Sequence, residues 1–169
     1  NIPDEAKRDL RSRFAAMAAM HEHIYKRDRY VSVDAKDLIP AVVDEVVAAY
    51  GSKVTLRYTL SSVQVGHDQA TPLALLLSEL ITNCLKYAFP DGRPGNISVT
   101  LAPAMDGMST LAVSDDGVGM PEAVRQGSMG MRLVTGVVSQ LEGEHRFYNE
   151  GGAVFEAKLR LHPQLRSQS

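Results

Sequence analysis

The stretch LALLLSELITNCLKY, residues Leu73–Tyr87, has the apolar spacing of an amphipathic helix. At about 100° per residue, most of its apolar side chains fall on one side of that helix. Glu79, Asn83 and Lys86 fall near the opposite side, at positions i, i+4 and i+7. A carboxylate, a carboxamide oxygen and an ammonium in one line can hold a hydrated Mg²⁺ ion and a polyphosphate. An ordinary solvent-facing polar stripe has the same pattern, and this stretch alone does not separate the two.

A second stretch, Leu111–Pro121 (LAVSDDGVGMP), has the pattern of a strand that ends in a glycine turn. Asp115 would lie at the end of the strand, and the chain would turn on Gly117 and Gly119. Glycines there let the backbone approach a flat ligand because no Cβ is in the way. Asp115 would then accept a hydrogen bond from an exocyclic amine such as N6 of adenine. A plain glycine-rich turn is the alternative.

A third stretch, Gly127–Val134 (GSMGMRLV), opens an apolar helical run that reaches Leu141. Glycine and serine before a helix leave backbone N–H groups free at the positive end of the helix dipole, where anions bind. The stretch is not a phosphate-binding Walker loop, since GxxxxGK[ST] occurs nowhere in the chain. A simple helix cap is the alternative.

In this order, ELITNCLKY, DDGVGMP and GSMGMRLV resemble the N, G1 and G2 boxes of the ATP-binding domain of sensor histidine kinases. That domain shares the GHKL (Bergerat) fold with type II topoisomerases, Hsp90 and MutL. The segment ELITNCLKYAFPDG is most similar to the corresponding segment of the HWE-like kinases, which have a short nucleotide lid. The resemblance covers about Tyr30–Pro163. It implies an α/β (α+β) two-layer sandwich in which helices cover one face of a mixed sheet of about five strands.

The resemblance also implies a role for each residue of the three boxes. Asn83 would coordinate the Mg²⁺ that bridges the ATP phosphates, and Lys86 would neutralise phosphate charge. Glu79 would hold a Mg²⁺-bound water or act as a base. Tyr87 would pack on the adenine edge, and Asp115 would bind adenine N6 in a pocket shaped by Gly117 and Gly119. Backbone donors near the phosphates would come from Gly127, Gly130 and Met131.

Only Pro121–Gln126 lie between the second and third stretches, where the family has its nucleotide lid. The chain lacks the Phe-containing box that other histidine kinases carry. Arg125 or Arg132 would have to supply the phosphate contacts of a longer lid, although both also fit solvated surface arginines.

The stretch Asp4–Arg29 has the pattern of one long helix with an apolar seam. Spacings of four and three residues join Leu10, Phe14, Met17, His21 and Ile24. A lone helix of this kind needs a partner, and the resemblance implies that residues 1–30 are the second helix of a dimerisation and phosphotransfer hairpin. His21 is then a packing residue, because the relatives' acceptor histidine lies on the first hairpin helix. We therefore expect the acceptor to lie outside this chain.

The composition fits one domain with an appendage. The chain has 169 residues, of which 44% are hydrophobic and 22% charged, enough for an ordinary core. A net charge of −2 without a basic block argues against nucleic-acid binding. The single Cys84 excludes an internal disulfide. The sequence has neither a membrane-length apolar run nor a signal peptide, which predicts a cytoplasmic location without a membrane segment.

Residues 31–163 are thus predicted to be an ATP-binding catalytic domain, and 164–169 a polar tail. The resemblance implies a two-component sensor kinase that transfers the γ-phosphate of ATP to a histidine, for relay to an aspartate of a response-regulator receiver domain. The full protein would carry an upstream sensory domain and form a homodimer through the hairpin, and this chain alone would not autophosphorylate. Two alternatives stay open. An anti-sigma-factor-type serine kinase would not need the helical seam, and intact Asn83, Lys86 and Asp115 argue against a nucleotide-binding adaptor without turnover.

Overall fold

The computed structural model describes residues 3–25, 32–122 and 127–163. Within these ranges the longer helices are α1 (Asp4–Tyr25), α2 (Ala35–Tyr50), α3 (His67–Asn83) and α4 (Met129–Gln140). The strands are β1 (Ser32–Asp34), β2 (Thr55–Leu60), β3 (Gln64–Gly66), β4 (Asn96–Pro103), β5 (Ser109–Asp115), β6 (Glu144–Asn149) and β7 (Ala153–Leu159). None of the helices in these ranges is long and apolar enough to cross a bilayer.

The central sheet has five strands in the order β2-β4-β5-β7-β6. Strand β2 runs parallel to β4, whereas the other neighbouring pairs are antiparallel. The mixed five-stranded sheet predicted from the sequence is therefore confirmed. Strands β1 and β3 pair with each other in a separate two-stranded sheet, so β1 does not belong to the main sheet.

Side chains alternate between a buried and a partly exposed face along the middle strands. In β5, Leu111 and Val113 are buried, and the period of two places the Asp115 carboxylate on the same buried face. The opposite positions of β5 and β7 are mostly partly exposed, as expected when helices cover only one face. The alternation thus places the Asp115 carboxylate at the end of a central strand, on the face covered by the helices.

Helix α2 has a cap at each end. The Asp34 carboxylate accepts a hydrogen bond from the Lys36 amide at 2.9 Å, and Gly51 ends the helix with a φ of 81°. Its inner side packs Leu38, Val42 and other apolar residues fully into the core. Helix α2 therefore packs between the main sheet and α1.

Helix α3 is buried on nearly every side, and it changes form where the sequence predicted one continuous helix. It runs as an α-helix to Asn83 and continues as a π-helical turn over Cys84–Ala88. Glu79 and Asn83 are only 5% and 7% exposed, because α1 and α4 both pack against α3. This burial excludes the ordinary solvent-facing stripe that the pattern alone left open.

Helix α1 has a buried stripe on one side and an exposed apolar stripe on another. Ser12, Ala16 and Met20 are buried against the rest of the molecule. The predicted seam begins on the other side, where Leu10 is 61% and Phe14 75% exposed. The last part of the predicted helix, residues 26–29, lies outside the described ranges.

Candidate functional site

The first and second predicted stretches meet at the π-helical turn. The Val118 amide donates a hydrogen bond to the Ala88 carbonyl at 2.9 Å. A Cβ on Gly117 would lie only 2.1 Å from that same carbonyl oxygen, so a side chain there would force the two segments apart. Gly119 has a φ of 88°, which disfavours side chains, and its Cβ would lie 2.8 Å from Oδ1 of Asn149. The glycines thus allow close backbone packing between these segments of the protein; their predicted approach to a flat ligand stays a prediction.

The Asp115 carboxylate is buried and only half satisfied. Its Oδ1 accepts hydrogen bonds from the amides of Gly117 and Ala153, at 3.0 and 3.1 Å. Its Oδ2 is buried without a hydrogen-bond partner among the described residues. Burial, together with this neighbouring carboxylate, raises the pKa of the Cys84 thiol, so Asp115 lies beside the residue that follows Asn83. The free oxygen fits a ligand that brings its own N–H donor.

The third stretch packs against α3 through the start of α4. A Cβ on Gly130 would lie 2.9 Å from Oε2 of Glu79, which puts the first turn of α4 against the polar side of α3. Ser128 caps the helix, and its Oγ accepts from the Met131 amide at 3.1 Å. The Met131 amide predicted to face a phosphate is thus already hydrogen-bonded. Gly127 is exposed and has open space around it.

Glu79 and Lys86 both bind side chains of α1. Oε1 of Glu79 lies 2.5 Å from Nε of Arg13. The Lys86 ammonium lies 3.0 Å from Oδ2 of Asp9 and 2.9 Å from Oε1 of Glu5. These three α1 residues were not predicted as part of the site.

The pKa values of the cations reflect these contacts. The hydrogen bond to Glu79 raises the pKa of the Arg13 guanidinium. Burial alone would lower the pKa of Lys86, but the hydrogen bonds to Glu5 and Asp9 outweigh burial and raise it. Both groups are therefore held in the charged form by α1 contacts.

Asn83 and Tyr87 complete the residues predicted on this helix. The Asn83 side chain is buried, and its Nδ2 has no hydrogen-bond partner in the part of the chain that the structure describes. Tyr87 is partly exposed, with the Lys86 ammonium 5.6 Å from its ring centre. Arg132 is exposed on α4, and Arg125 lies outside the described residues.

No group of three or more His, Cys, Asp or Glu side chains within the described ranges could hold a metal ion by itself. A Mg²⁺ ion that shares its coordination with phosphates and waters needs only one or two protein oxygens. The carboxamide of Asn83 and the carboxylate of Glu79 are of that kind, so the donor set fits such an ion.

A sequence model of the histidine kinase-, DNA gyrase B- and HSP90-like ATPases matches residues 68–163, more than half of the chain. The chain belongs to this ATPase family. The match contains all three predicted stretches, and it begins at the second residue of α3.

Proteins similar to this chain include two curated histidine kinases. Blue-light-activated histidine kinase 2 of Erythrobacter litoralis is 33% identical over 94 residues, covering 54% of this chain and 27% of that protein. Sensor histidine kinase PdtaS of Mycobacterium tuberculosis is 24% identical over 142 residues, covering 78% of this chain and 27% of that protein. The chain thus spans about a quarter of the length of each relative.

Among solved structures, the histidine kinase domain of the Erythrobacter litoralis EL346 blue-light activated histidine kinase superposes with a TM-score of 0.79. The alignment covers 90% of this chain and 79% of that one at 22% identity. The likeness confirms the predicted fold, and α1 is the predicted leading helix.

Proposed function

We propose that this chain is the ATP-binding catalytic part of a sensor histidine kinase of the HWE-like, short-lid kind. The single observation that carries the proposal is the free, buried Oδ2 of Asp115 at the end of β5. Glycine turns surround it, and Cys84, the residue after Asn83, lies beside it. A buried acceptor without a donor is costly in an isolated protein, and a bound adenine would supply the missing N–H.

The adenine base lies at Asp115 in this proposal. Oδ2 accepts from N6, Gly117 and Gly119 bring the backbone close to the base, and Tyr87 packs on its edge. The two backbone amides bound to Oδ1 fix the carboxylate, so its second oxygen is already directed when adenine arrives.

The triphosphate extends from the base toward α3 and the start of α4. Asn83 and Glu79 would hold Mg²⁺, and the ion when bound would neutralise phosphate charge for the transfer. Lys86 supplies a point cation, and the amides of Gly127 and Gly130 line the phosphates at the helix terminus. Met131 contributes packing rather than its amide, since that amide already caps α4.

The phosphate acceptor is a histidine on a partner helix outside this chain. The exposed Leu10 and Phe14 provide an apolar surface for such a helix, in keeping with a homodimeric hairpin. A response-regulator receiver domain takes the phosphate next, and a sensory domain precedes residues 1–30 in the full protein. The part described here lies in the cytoplasm. Both relatives described above are named histidine kinases, which does not favour a serine kinase.

The decisive experiment replaces Asn83 by Ala and measures Mg-ATP binding by titration calorimetry. We expect binding to be lost, because the carboxamide oxygen that holds the metal is removed. Gln140→Ala, which removes an exposed carboxamide at the far end of α4, is the matched control and should bind as the original protein does. Unchanged affinity in Asn83→Ala would refute the proposed site. Labelled phosphate transferred to a separately supplied hairpin should be acid-labile, whereas acid-stable label would indicate a serine kinase.

A further inference from the structure

We propose that α1 is an inhibitory clasp, in which Glu5 and Asp9 hold Lys86 and Arg13 holds Glu79 until nucleotide binding requires their release. The inference rests on the proposed function, because it takes Glu79 and Lys86 as groups that serve Mg-ATP. It adds a regulatory state of the same site.

The three clasp residues lie on one side of α1. Glu5, Asp9 and Arg13 follow one another at intervals of four residues, the spacing that aligns side chains along a helix. Their charges are negative, negative and positive. The facing segment presents a carboxylate at Glu79 and an ammonium at Lys86, so the two charge patterns are complementary when the segments run in opposite directions.

The contacts are shielded on the side of Glu79 and Lys86, whereas the α1 partners are more open, with exposures of 24%, 41% and 65% for Asp9, Arg13 and Glu5. The Glu79 side chain is 7% exposed and that of Lys86 15% exposed. Salt screens such partly buried pairs less than exposed ones. The neighbouring stripe of Ser12, Ala16 and Met20 anchors α1 by burial, so the clasp does not depend on charge alone to keep its register.

The clasp conflicts with the proposed use of the same side chains. An ammonium bound to two carboxylates at 2.9 and 3.0 Å has its charge largely neutralised. Glu5 and Asp9 would also repel the phosphates that Lys86 is to receive. Arg13 similarly occupies Oε1 of Glu79, while the other oxygen of Glu79 faces Gly130. If only the released state binds well, apparent nucleotide affinity falls in proportion to the population of that state.

The first test compares Mg-ATP affinity by calorimetry in the original protein and the double variant Glu5→Gln, Asp9→Asn. We expect the variant to bind at least about fivefold more tightly, the lower end of typical coupling between sites. The control Asp4→Asn makes the same kind of charge change at an exposed position of the first turn and should leave affinity within about twofold. Equal or weaker binding by the double variant overturns the clasp and leaves the proposed function intact.

The second test measures amide hydrogen exchange in α1 of the unmodified protein. Saturating Mg-ATP should accelerate exchange over residues 7–11, because binding releases Glu5 and Asp9 while the buried stripe keeps the rest of the helix docked. Unchanged or slower exchange in the presence of bound nucleotide overturns the clasp. If neither the original protein nor the double variant binds Mg-ATP, the clasp and the proposed function both fail.

Discussion

The Asp115 carboxylate shows how one residue connects the fold to the candidate site. Two backbone amides fix one of its oxygens, and the other is buried without a partner among the described residues. An unsatisfied buried acceptor costs about 1–3 kcal/mol. The unpaired oxygen lowers the stability of the free protein, and an N–H donor of a bound ligand would satisfy it.

The replacement Asp115→Asn tests that reason. The asparagine oxygen can still accept from Gly117 and Ala153, but an NH₂ group then faces the adenine amine, so two donors meet. We expect Mg-ATP affinity to fall by about 10- to 100-fold, as for a lost hydrogen bond to a charged group. Asp116→Asn, at an exposed neighbour bound to Asn96, is the control for calorimetry. Equal affinities of the two variants would exclude an adenine contact at Asp115.

Some site residues were predictable from the sequence because their signals are local. Strand alternation followed by two glycines predicts where Asp115 lies, and helical spacing puts Glu79, Asn83 and Lys86 near one another. The partners on α1 leave no such signal. Arg13 is 66 residues from Glu79 in sequence, and Asp9 is 77 residues from Lys86. Their contacts depend on how a separate helix packs, which no short pattern encodes.

At the scale of elements, the boundaries of α3 were harder to predict than its existence. Its apolar spacing indicates a helix. A π-helical turn over Cys84–Ala88 also buries its apolar residues, so the spacing does not reveal the change of helix type. A single turn is too short for periodicity to distinguish the two helix types. The π-helical turn nevertheless matters to the site, because the carbonyl of its last residue, Ala88, accepts a hydrogen bond from the Val118 amide.

Asp34 joins two elements and provides a test of helix capping. Its carboxylate accepts from the Lys36 amide that begins α2, and from the Val63 amide and the Ser62 hydroxyl before β3. We expect Asp34→Ala to lower the free energy of unfolding by about 1–2 kcal/mol at pH 7, measured by urea denaturation. Asp37→Ala, at an exposed position in the first turn, should cost less. Equal losses would show that the cap contributes little.

The pH dependence of that difference has a definite sign. Burial tends to raise the pKa of Asp34, but the hydrogen bonds from Ser62, Lys36 and Val63 outweigh it and hold the pKa below its usual 3.8. A carboxylate whose pKa is lowered by folding stabilises the fold at pH values above its unfolded-state pKa. That stabilisation is lost as the pH falls through its folded-state pKa. The difference in the free energy of unfolding between the original protein and Asp34→Ala should therefore be largest at pH 7 and become smaller below about pH 4.

At the scale of the whole molecule, α1 shares the hydrophobic core with the helices that cover the sheet. Ala16 and Met20 belong to the same buried cluster as α2, α3 and the sheet. The predicted boundary near residue 30 falls between the described ranges, and its place stays a prediction. The sequence indicated only the Leu10–Phe14 stripe, because small residues such as Ala16 carry little hydrophobic signal although they allow close helix packing.

Ala16→Arg tests whether this packing holds α1 in place. Ala16 is fully buried, so an arginine there cannot be accommodated without moving the helix, and overpacking typically costs about 1–3 kcal/mol. We expect amide exchange in α1 to lose its protection, while β4, β5 and β7 keep theirs because they form the middle of a separate layer. Ala18→Arg places the same side chain at an exposed position of the same helix and should change neither. Protection of α1 that is equal in both variants would mean that the Ala16 contact does not dock the helix. Loss of protection in the sheet as well would mean that α1 and the sheet unfold as one cooperative unit.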